Sequence, residues 1–392
     1  MDPQVVRRIN VIECLQEDNE DVPPPPEDAA ELWTEEEIHA YFESGGEIVP
    51  APKKKFPQKA AKMKAMRIHK LGGLEQLQLE TDLPTPAAGA GEVVIKSYAC
   101  GVNFSDTLIA AGKYNVRPPL PFSPGFEMAG EVVEIGAEVD SKWQVGDRVV
   151  GQAGWGGYAE YAVVKAKSLV PVPDSLDYCT AAAFPVAYAT SHIALSYKAR
   201  LQPGETLLVH GASGGVGLTA VELGAAMGAT VIATASTEAK LQIAKSRGAH
   251  HGVLSSAKDM HQQVLKLTDE KGVDVVYDPV GGECWDASMK CIGFEGRLLV
   301  IGFASGKVPQ IPANQLLAKN IDVLGFYIGA YFNERVEVAQ KSFEECMEML
   351  MQGKIKPLVS DTYPLEQTAT AIALVRDRKA VGKVVVTIGN SN

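Results

Sequence analysis

The pattern of hydrophobic and polar positions changes its period near residue 188. Between residues 64 and 187, apolar and polar positions alternate in short runs separated by turn residues, as in GEVVIKSYACG and EMAGEVVEIG. Such runs are typical of an antiparallel, β-rich region. From 188 to 330, apolar runs such as TLLVHG alternate with stretches of helical period such as VGLTAVELGAAMG. This alternation of strand and helix predicts a parallel sheet covered on both faces.

Residues 331–392 return to mixed elements. An amphipathic helix is predicted at VAQKSFEECMEMLMQG, and a closing strand at GKVVVTI. No internal repeat is visible along the chain.

Residues 1–63 are predicted to be an acidic extension and linker, partly disordered, with one short helix. The proline run in DVPPPPEDAAE cannot continue a helix, and VPAPKKKFPQKAAK has the composition of a basic linker. The helix is expected in LWTEEEIHAYFESGG, where Thr34 and Glu37 have capping-box spacing, Trp33 and Ile38 can form a hydrophobic staple, and Gly45 can end it. It either docks onto a partner or the rest of the chain or is a solvated accessory helix. The side chains available for docking are Trp33, Ile38, Tyr41 and Phe42.

Composition indicates a globular protein with a large core, since 46% of the 392 residues are hydrophobic and 22% are charged. An uninterrupted apolar run of membrane-spanning length is missing, and the N-terminus has neither a signal-peptide nor a transit-peptide pattern. A cytoplasmic location is expected, and a mitochondrial one is left open. The six cysteines are scattered without C-x-x-C pairs, which favours a reducing compartment and no structural zinc site.

Charge is concentrated at the N-terminus. The formal net charge is −11, and residues 1–50 hold 14 of the 48 acidic side chains against two arginines, so residues 51–392 are almost neutral. A near-neutral surface does not attract a polyanion, so nucleic-acid binding is disfavoured.

A glycine-rich stretch, LLVHGASGGVG at residues 207–217, carries the clearest chemistry. Ala212-x-Gly214-x-x-Gly217 has the spacing of the dinucleotide fingerprint, with alanine in place of the first glycine. In that fingerprint the middle glycine lets the backbone approach a pyrophosphate, and the last lets the helix lie close to the strand. Because the stretch follows a predicted strand and opens a predicted helix, it is interpreted as a dinucleotide-binding loop.

The second strand of this region, TVIATAST, indicates which dinucleotide binds. NAD enzymes usually end this strand with a carboxylate that binds the ribose, and the position here is Ala235. Ser236, Thr237 and Lys240 follow, and these donors and this cation suit a 2′-phosphate. NADPH is therefore the expected cofactor. The alternative for Lys240 is a solvated helix lysine.

With these features the chain resembles the zinc-independent quinone oxidoreductase branch of the medium-chain dehydrogenase/reductase superfamily, over about residues 64–392. The resemblance implies an α/β protein with a GroES-like, β-rich catalytic domain at 64–187, completed by 331–392, and a Rossmann NADPH-binding domain at 188–330. It also implies a homodimer paired through the Rossmann sheet edge, where GFYIGAYF at 325–332 would suit an interface, although core packing explains those aromatic residues equally well. The motifs that carry the resemblance are CGVNFSD, GKYNVRPPLPFSPGFEMAGEVVEIG, GDRVVG, GGYAEY, HGASGGVG, DPVGGE, LLVIGFASG and GKVVV.

The resemblance also implies roles for individual residues around NADPH. The position of Ser255 usually carries an aromatic ring in relatives, so weaker affinity for the adenosine end is expected. The implied contacts are Tyr114, Ile301, Gly302, Phe303, Phe326, Tyr327 and Ile328 near the nicotinamide half, Ser213, Gly214, Gly215 and Val216 on the pyrophosphate, and Ser236, Lys240 and Ser255 around the adenosine phosphate.

In the zinc-bearing relatives, a cysteine and a histidine stand where this chain has Asn103 and Phe126. Neither residue is a zinc ligand of the usual kind, so no metal is expected. Cys100 and Glu127 match other family positions and are interpreted as isolated structural groups.

Without a metal, hydride transfer requires an acceptor that is already electrophilic, because no Lewis acid stabilises the developing negative charge. Quinones and α,β-unsaturated carbonyl compounds spread that charge by conjugation. Asn103 and Tyr114 are the candidate catalytic donors, with loop packing as the alternative role for each. Two other functions stay open: an NADPH-binding scaffold or RNA-associated protein with little turnover, and an enoyl-thioester reductase.

Overall fold

The computed structural model describes residues 3–19, 21–27, 29–47 and 59–389, and it divides into two compact units, Met1–Gln58 and Lys59–Asn392. Most of the predicted linker lies outside the described residues. Among the described residues, none of the helices is long and apolar enough to cross a membrane.

The N-terminal unit contains three helices, α1 (Pro3–Asp18), α2 (Ala29–Leu32) and α3 (Glu35–Glu43). The predicted capping box of α3 is confirmed, because the Glu37 N–H donates to Thr34 Oγ1 at 3.2 Å and the Thr34 N–H donates to Glu37 Oε2 at 2.7 Å. The expectation of a single short helix in this region was wrong. Helix α1 has no capping-box spacing at its start to mark it in the sequence. It is stabilised by packing on a small core made of Ala29, Trp33, Ile38, Tyr41 and Phe42, with Val11, Ile12, Leu15 and Val22 at its margin.

The β-rich part of the second unit contains a seven-stranded sheet. Its order is β14-β15-β3-β4-β5-β7, with β6 also paired to β3, and all pairs except β14 with β15 are antiparallel. The final strand therefore lies between β14 and β3, far from its sequence neighbours. The strands are β3 (Glu92–Val102), β4 (Glu127–Ile135), β5 (Arg148–Gln152), β6 (Tyr161–Lys165), β7 (Leu169–Pro171), β14 (Val359–Pro364) and β15 (Lys383–Thr387), and a separate pair is formed by β1 (Lys62–Ile68) and β2 (Leu77–Pro84).

The predicted parallel sheet is confirmed. Six strands pair in parallel in the order β10-β9-β8-β11-β12-β13, the doubly wound arrangement in which chain order reverses between β8 and β11. Ligands of such sheets bind at that reversal, beyond the carboxyl ends of the strands. The elements are β8 (Thr206–Val209), α7 (Gly215–Ala226), β9 (Thr230–Ala235), α8 (Glu238–Ser246), β10 (His251–Leu254), α9 (Met260–Leu267), β11 (Val273–Asp278), α10 (Glu283–Cys291), β12 (Ile292–Val300), α11 (Ala313–Lys319) and β13 (Asp322–Gly325).

The remaining helices cover the two sheets. Helix α6 continues into a π-helical turn at Ile193–Lys198. Helix α13 packs against the start of α6, where the ring centroids of Phe343 and of Phe184, the residue before α6, are 6.4 Å apart. These helices are α4 (Phe104–Ala110), α5 (Tyr178–Ala182), α6 (Pro185–His192), α12 (Ile328–Glu334), α13 (Val336–Met351) and α14 (Thr368–Arg376).

Candidate cofactor and active site

The glycine loop lies between the end of β8 and the start of α7, at the point where the parallel sheet reverses its order. A side chain at Gly217 would place its Cβ 2.1 Å from Gly211 O, so only glycine lets the helix approach the strand here. A Cβ at Gly214 would meet only Gly211 O, at 3.4 Å, which leaves the backbone at that position open to a ligand. The strand, turn and helix that the fingerprint requires are all present.

The adenosine end of the site is expected where β9 ends. Ala235 is the last residue of that strand, Ser236 is exposed, and the Ser255 N–H donates to Ala235 O at 2.9 Å. Lys240 lies in the first turn of α8, and its Nζ donates to the carbonyl oxygen of Arg378 at 2.8 Å. The predicted group is therefore brought together, with no carboxylate at the end of β9.

Arg378 was missed in the sequence. It is exposed, has a left-handed backbone with φ of 58°, and its Nη2 donates to Ala304 O at 2.8 Å. Its backbone oxygen therefore lies next to the Lys240 ammonium, and its guanidinium reaches the loop that follows β12. The basic stretch RDRK before Gly382 is the only local sign of it, and its placement depends on how the last strand returns to the first sheet.

Two loops at the carboxyl ends of β11 and β12 interlock. Asp278 Oδ1 accepts the N–H groups of Val280 and Gly281 at 2.8 and 2.9 Å, and Asp278 O accepts the N–H groups of Ile301 and Gly302 at 3.0 and 3.3 Å. These contacts place the DPVGGE loop beside the IGFASG loop, as expected if both loops belong to one site. Phe303 is 38% exposed at this position.

Phe326, which the resemblance assigns to the nicotinamide half, has its side chain in the core. It is 9% exposed, and its ring stacks on Tyr331 with centroids 5.1 Å apart, inside the main core. The aromatic stretch at 325–332 is therefore partly core, because Phe332 also stacks on Phe343 at 6.2 Å.

Tyr114 and Tyr327, which the sequence assigned to the nicotinamide half, lie together. Their ring centroids are 6.2 Å apart, and Phe126 packs edge-on against Tyr114 at 5.3 Å. Burial, and then the neighbouring Tyr327, raise the pKa of Tyr114 well above its usual value. The Tyr114 hydroxyl therefore stays protonated at neutral pH and can act as a hydrogen-bond donor.

Asn103 belongs to a buried polar cluster around Lys383. Asn103 Nδ2 donates to Glu127 Oε1 at 2.7 Å and to Gly101 O at 3.4 Å, while Lys383 Nζ donates to Asn103 Oδ1 at 2.8 Å. The residue is 9% exposed. The second hydrogen on Nδ2 makes only the long contact to Gly101 O. It is therefore the hydrogen that could be donated to a ligand.

Glu127 was expected to be isolated, and this was wrong, because its side chain has partners on three segments of the chain; its structural role stays a prediction. Its Oε1 accepts from Lys383 Nζ at 2.7 Å, and its Oε2 accepts from the Val186 N–H at 2.7 Å. Glu127 is fully buried and Lys383 is 4% exposed, so the carboxylate needs the ammonium as a counter-charge.

A second buried acid, Asp106, lies beside this cluster. Its Oδ2 accepts from the Asn103 N–H at 2.8 Å and from the Tyr158 hydroxyl at 2.9 Å, and its Oδ1 has no hydrogen-bond partner among the described residues. Burial raises the pKa of Asp106 to about 7. Burial also raises the pKa of the nearby Cys100 thiol, which disfavours the thiolate that binds metals.

The donor set does not suit a metal. Phe126 offers no ligand atom, Asn103 and Glu127 are bound to an ammonium, and the described residues hold no group of three or more His, Cys, Asp or Glu side chains arranged around a cation position.

Comparison with known proteins agrees with this architecture. The family model of the alcohol dehydrogenase GroES-like domain matches residues 89–174, and that of the zinc-binding dehydrogenase matches residues 215–350. The quinone oxidoreductase-like protein 2 homolog of Nematostella vectensis is 38% identical over 334 residues, which are 85% of this chain and 91% of that protein. The chain belongs to the quinone oxidoreductase family of the medium-chain dehydrogenase/reductase superfamily. This confirms the predicted family and makes the protein a member of an oxidoreductase family.

Solved structures of this family have the same fold. The quinone oxidoreductase of Pseudomonas syringae pv. tomato has a TM-score of 0.78 at 34% identity, over 83% of this chain and 99% of that one. The Escherichia coli quinone oxidoreductase, solved in complex with NADPH, has a TM-score of 0.76 at 30% identity, over 83% of this chain and 99% of that one. The predicted mixed α/β fold, GroES-like and Rossmann-like, is thereby confirmed.

Proposed function

We propose that this protein uses NADPH to reduce quinones or α,β-unsaturated carbonyl compounds without a metal. The observation that carries the proposal is the filling of the metal-ligand positions. Phe126 stands at one of them, and Asn103 at the other is bound, together with Glu127, to the Lys383 ammonium. One matching family model is named for zinc-binding dehydrogenases, but these side chains do not reproduce a zinc site.

The cofactor proposal is supported by the glycine loop and by the charges near β9. The open backbone at Gly214 and the start of α7 suit a pyrophosphate, since helix N-termini bind anions. Lys240 and Arg378 supply two positive charges where a 2′-phosphate is expected. NADPH, when bound, supplies the hydride. The residues that would hold it are Ser213, Gly214, Gly215, Val216 and Gly217 on the pyrophosphate, Ser236, Lys240, Ser255 and Arg378 at the adenosine phosphate, and Tyr114, Ile301, Gly302, Phe303, Phe326, Tyr327 and Ile328 at the nicotinamide half.

The chain's own residues position the acceptor and limit its access to water. The protonated Tyr114 hydroxyl can donate a hydrogen bond to a carbonyl oxygen of the acceptor, which favours charge arriving on that oxygen. The rings of Tyr114 and Tyr327, with the buried ring of Phe126 packed behind Tyr114, form an apolar surface that suits a flat conjugated molecule. Neither the Tyr114 hydroxyl nor the aromatic surface is a strong acid. The reduction of a plain ketone would therefore be accelerated little at this site.

The proposal is tested by following the reduced-nicotinamide absorbance of NADPH with the full-length protein. The acceptors are a benzoquinone, a naphthoquinone, an alkenal and an enoyl thioester, with a saturated aldehyde of the same length as control. Turnover of a quinone or the alkenal, and none of the saturated aldehyde, is expected. NADPH oxidation with the enoyl thioester alone would exclude quinones and free alkenals as acceptors and would favour an enoyl-thioester reductase. Binding of NADPH without turnover of any acceptor would contradict the proposal and favour the scaffold.

We further propose a homodimer formed along the edge strand β13. This strand pairs with β12 on one side, and apolar side chains are exposed in the segment before it, among them Val308 at 62% and Leu317 at 83%. Exposed strand edges next to apolar surface favour association.

A further inference from the structure

The strand β15 begins with a lysine whose ammonium is buried and fully used. Lys383 Nζ donates to Val102 O at 2.9 Å, to Asn103 Oδ1 at 2.8 Å and to Glu127 Oε1 at 2.7 Å. An ammonium has three donor hydrogens, so all of them are satisfied. Because a buried charge is costly without such partners, the positions of these three oxygens depend on the lysine.

The same contacts determine how the Asn103 amide is turned. With Oδ1 on the ammonium, Nδ2 points to Glu127, whose other oxygen accepts the Val186 N–H at 2.7 Å. One cation therefore connects the end of β3, the start of β4 and the start of α6.

The backbone and the aliphatic stem of Lys383 adjoin the glycine loop. The N–H of the preceding residue, Gly382, donates to Ser213 O at 2.8 Å, and Gly382 forms a β-bridge with Gly214. The Cδ atom of Lys383 lies 3.4 Å from the position that a Cβ would take on Gly215. A cavity beside the stem is lined by Tyr188, Gly215, Leu218, Pro357 and Lys383, among others.

From this geometry we propose that Lys383 is a positioning residue, which couples the pyrophosphate-binding loop to the orientation of Asn103 and Glu127. Its ammonium is the cation that holds these two side chains in place. Its stem supports the loop at the start of α7. The inference rests on the proposed function, since it assumes that NADPH binds at this loop.

The first test compares Lys383→Ala with the double variant K383M/E127Q, which removes both charges and is expected to fold because no buried charge is left alone. NADPH affinity is measured by the fluorescence of the reduced nicotinamide, and kcat with a quinone. Both variants should lose affinity and kcat by about tenfold to a hundredfold, since small misplacements in a site have effects of this size. Propylammonium, which fits the space left in Lys383→Ala, should restore part of both, whereas tetramethylammonium at the same concentration should not.

The matched control is Arg297→Met, which breaks the partly buried ion pair between Arg297 and Glu205. Glu205 directly precedes β8, so this pair lies at the opposite end of the strand from the glycine loop. This variant should keep wild-type NADPH affinity and kcat. A folded K383M/E127Q variant with wild-type values would overturn the inference, and so would equal losses in Arg297→Met, which would reduce the effect to stability. If wild type turns over no acceptor, the proposed function fails, and the NADPH affinities still decide the role of Lys383.

Discussion

At the scale of residues, burial separates the two candidate donors. Asn103 is 9% exposed and holds its best hydrogen bonds with Glu127 and Lys383, while Tyr114 sits among aromatic rings with a hydroxyl that burial keeps protonated. An acceptor that binds the Tyr114 hydroxyl competes with its contact to Tyr327, but it does not break the buried network around Lys383. Asn103 fits better as part of the support beneath the site.

Tyr114→Phe keeps the ring that packs on Phe126 and removes only the hydroxyl. We expect kcat with a quinone to fall about tenfold, the effect of losing one hydrogen bond to developing charge, with no change in NADPH affinity. Steady-state kinetics with matched binding titrations measure both. Tyr197→Phe, at a ring that is 48% exposed, is the control and should leave kcat unchanged. A wild-type kcat in Tyr114→Phe would remove this tyrosine from the chemistry.

Arg378→Ala removes a charge from the expected 2′-phosphate site. The KM for NADPH should rise about tenfold and the KM for NADH should not change, because a hydrogen bond to a charged group is worth about 1.5–3 kcal/mol and NADH lacks that phosphate. Arg376→Ala is the control, since its guanidinium pairs with Asp377 at 2.8 Å. Equal changes for both cofactors in Arg378→Ala would place the arginine elsewhere on the nucleotide.

At the scale of elements, the glycine loop shows what local sequence can predict. Its spacing predicted strand, turn and helix, because each glycine is required by steric contacts within a few residues of it.

Gly217→Ala should weaken NADPH binding by more than tenfold and lower the free energy of unfolding by about 1–3 kcal/mol, the usual cost of overpacking. Calorimetry and thermal unfolding test this. Gly154→Ala, where a Cβ meets nothing within 4 Å, should change neither, and wild-type binding in Gly217→Ala would contradict the loop's role.

The capping box of α3 is the clearest element of the N-terminal unit. Thr34→Ala removes the acceptor of the Glu37 N–H and should destabilise the helix by about 1 kcal/mol, without altering catalysis. Hydrogen exchange of the α3 amides in the full-length protein measures the loss, with Glu43→Gln on an exposed position as control. Unchanged protection would mean that packing on the core, and not the cap, stabilises this helix.

Helix α1 and the contacts around Lys383 could not be predicted from the sequence. Helix α1 is weakly amphipathic, so its apolar face becomes evident only when α3 is present to cover it. Asn103 and Lys383 are joined by the pairing of β15 with β3, and neither residue has a local pattern that predicts the other. Sequence reasoning missed the contacts that depend on the pairing of strands far apart in the chain, and it also missed Arg378.

At the scale of the whole molecule, charge and surface are divided unevenly. The N-terminal region accounts for all of the net negative charge, and residues 51–392 are almost neutral, which leaves apolar surface near β13 as the more favourable place for association. Light scattering should give twice the 41.9 kDa mass of the chain. Leu317→Lys should shift the protein toward monomer, and Met351→Lys, at a residue that is 61% exposed on α13, should not. A monomeric wild type would rule out the proposed dimer.

The central claim is that hydride transfer here needs no metal, and it is tested most directly by kinetics on protein whose metal content has been measured. The full-length enzyme is dialysed against a strong chelator, its zinc is quantified, and its rate of NADPH oxidation with a quinone is compared with that of the untreated enzyme. We expect less than one-tenth of a zinc per chain, about the margin of a trace contaminant, with an unchanged kcat, because the cation on Asn103 and Glu127 is an ammonium. Loss of activity on chelation, with recovery on adding zinc, would contradict it.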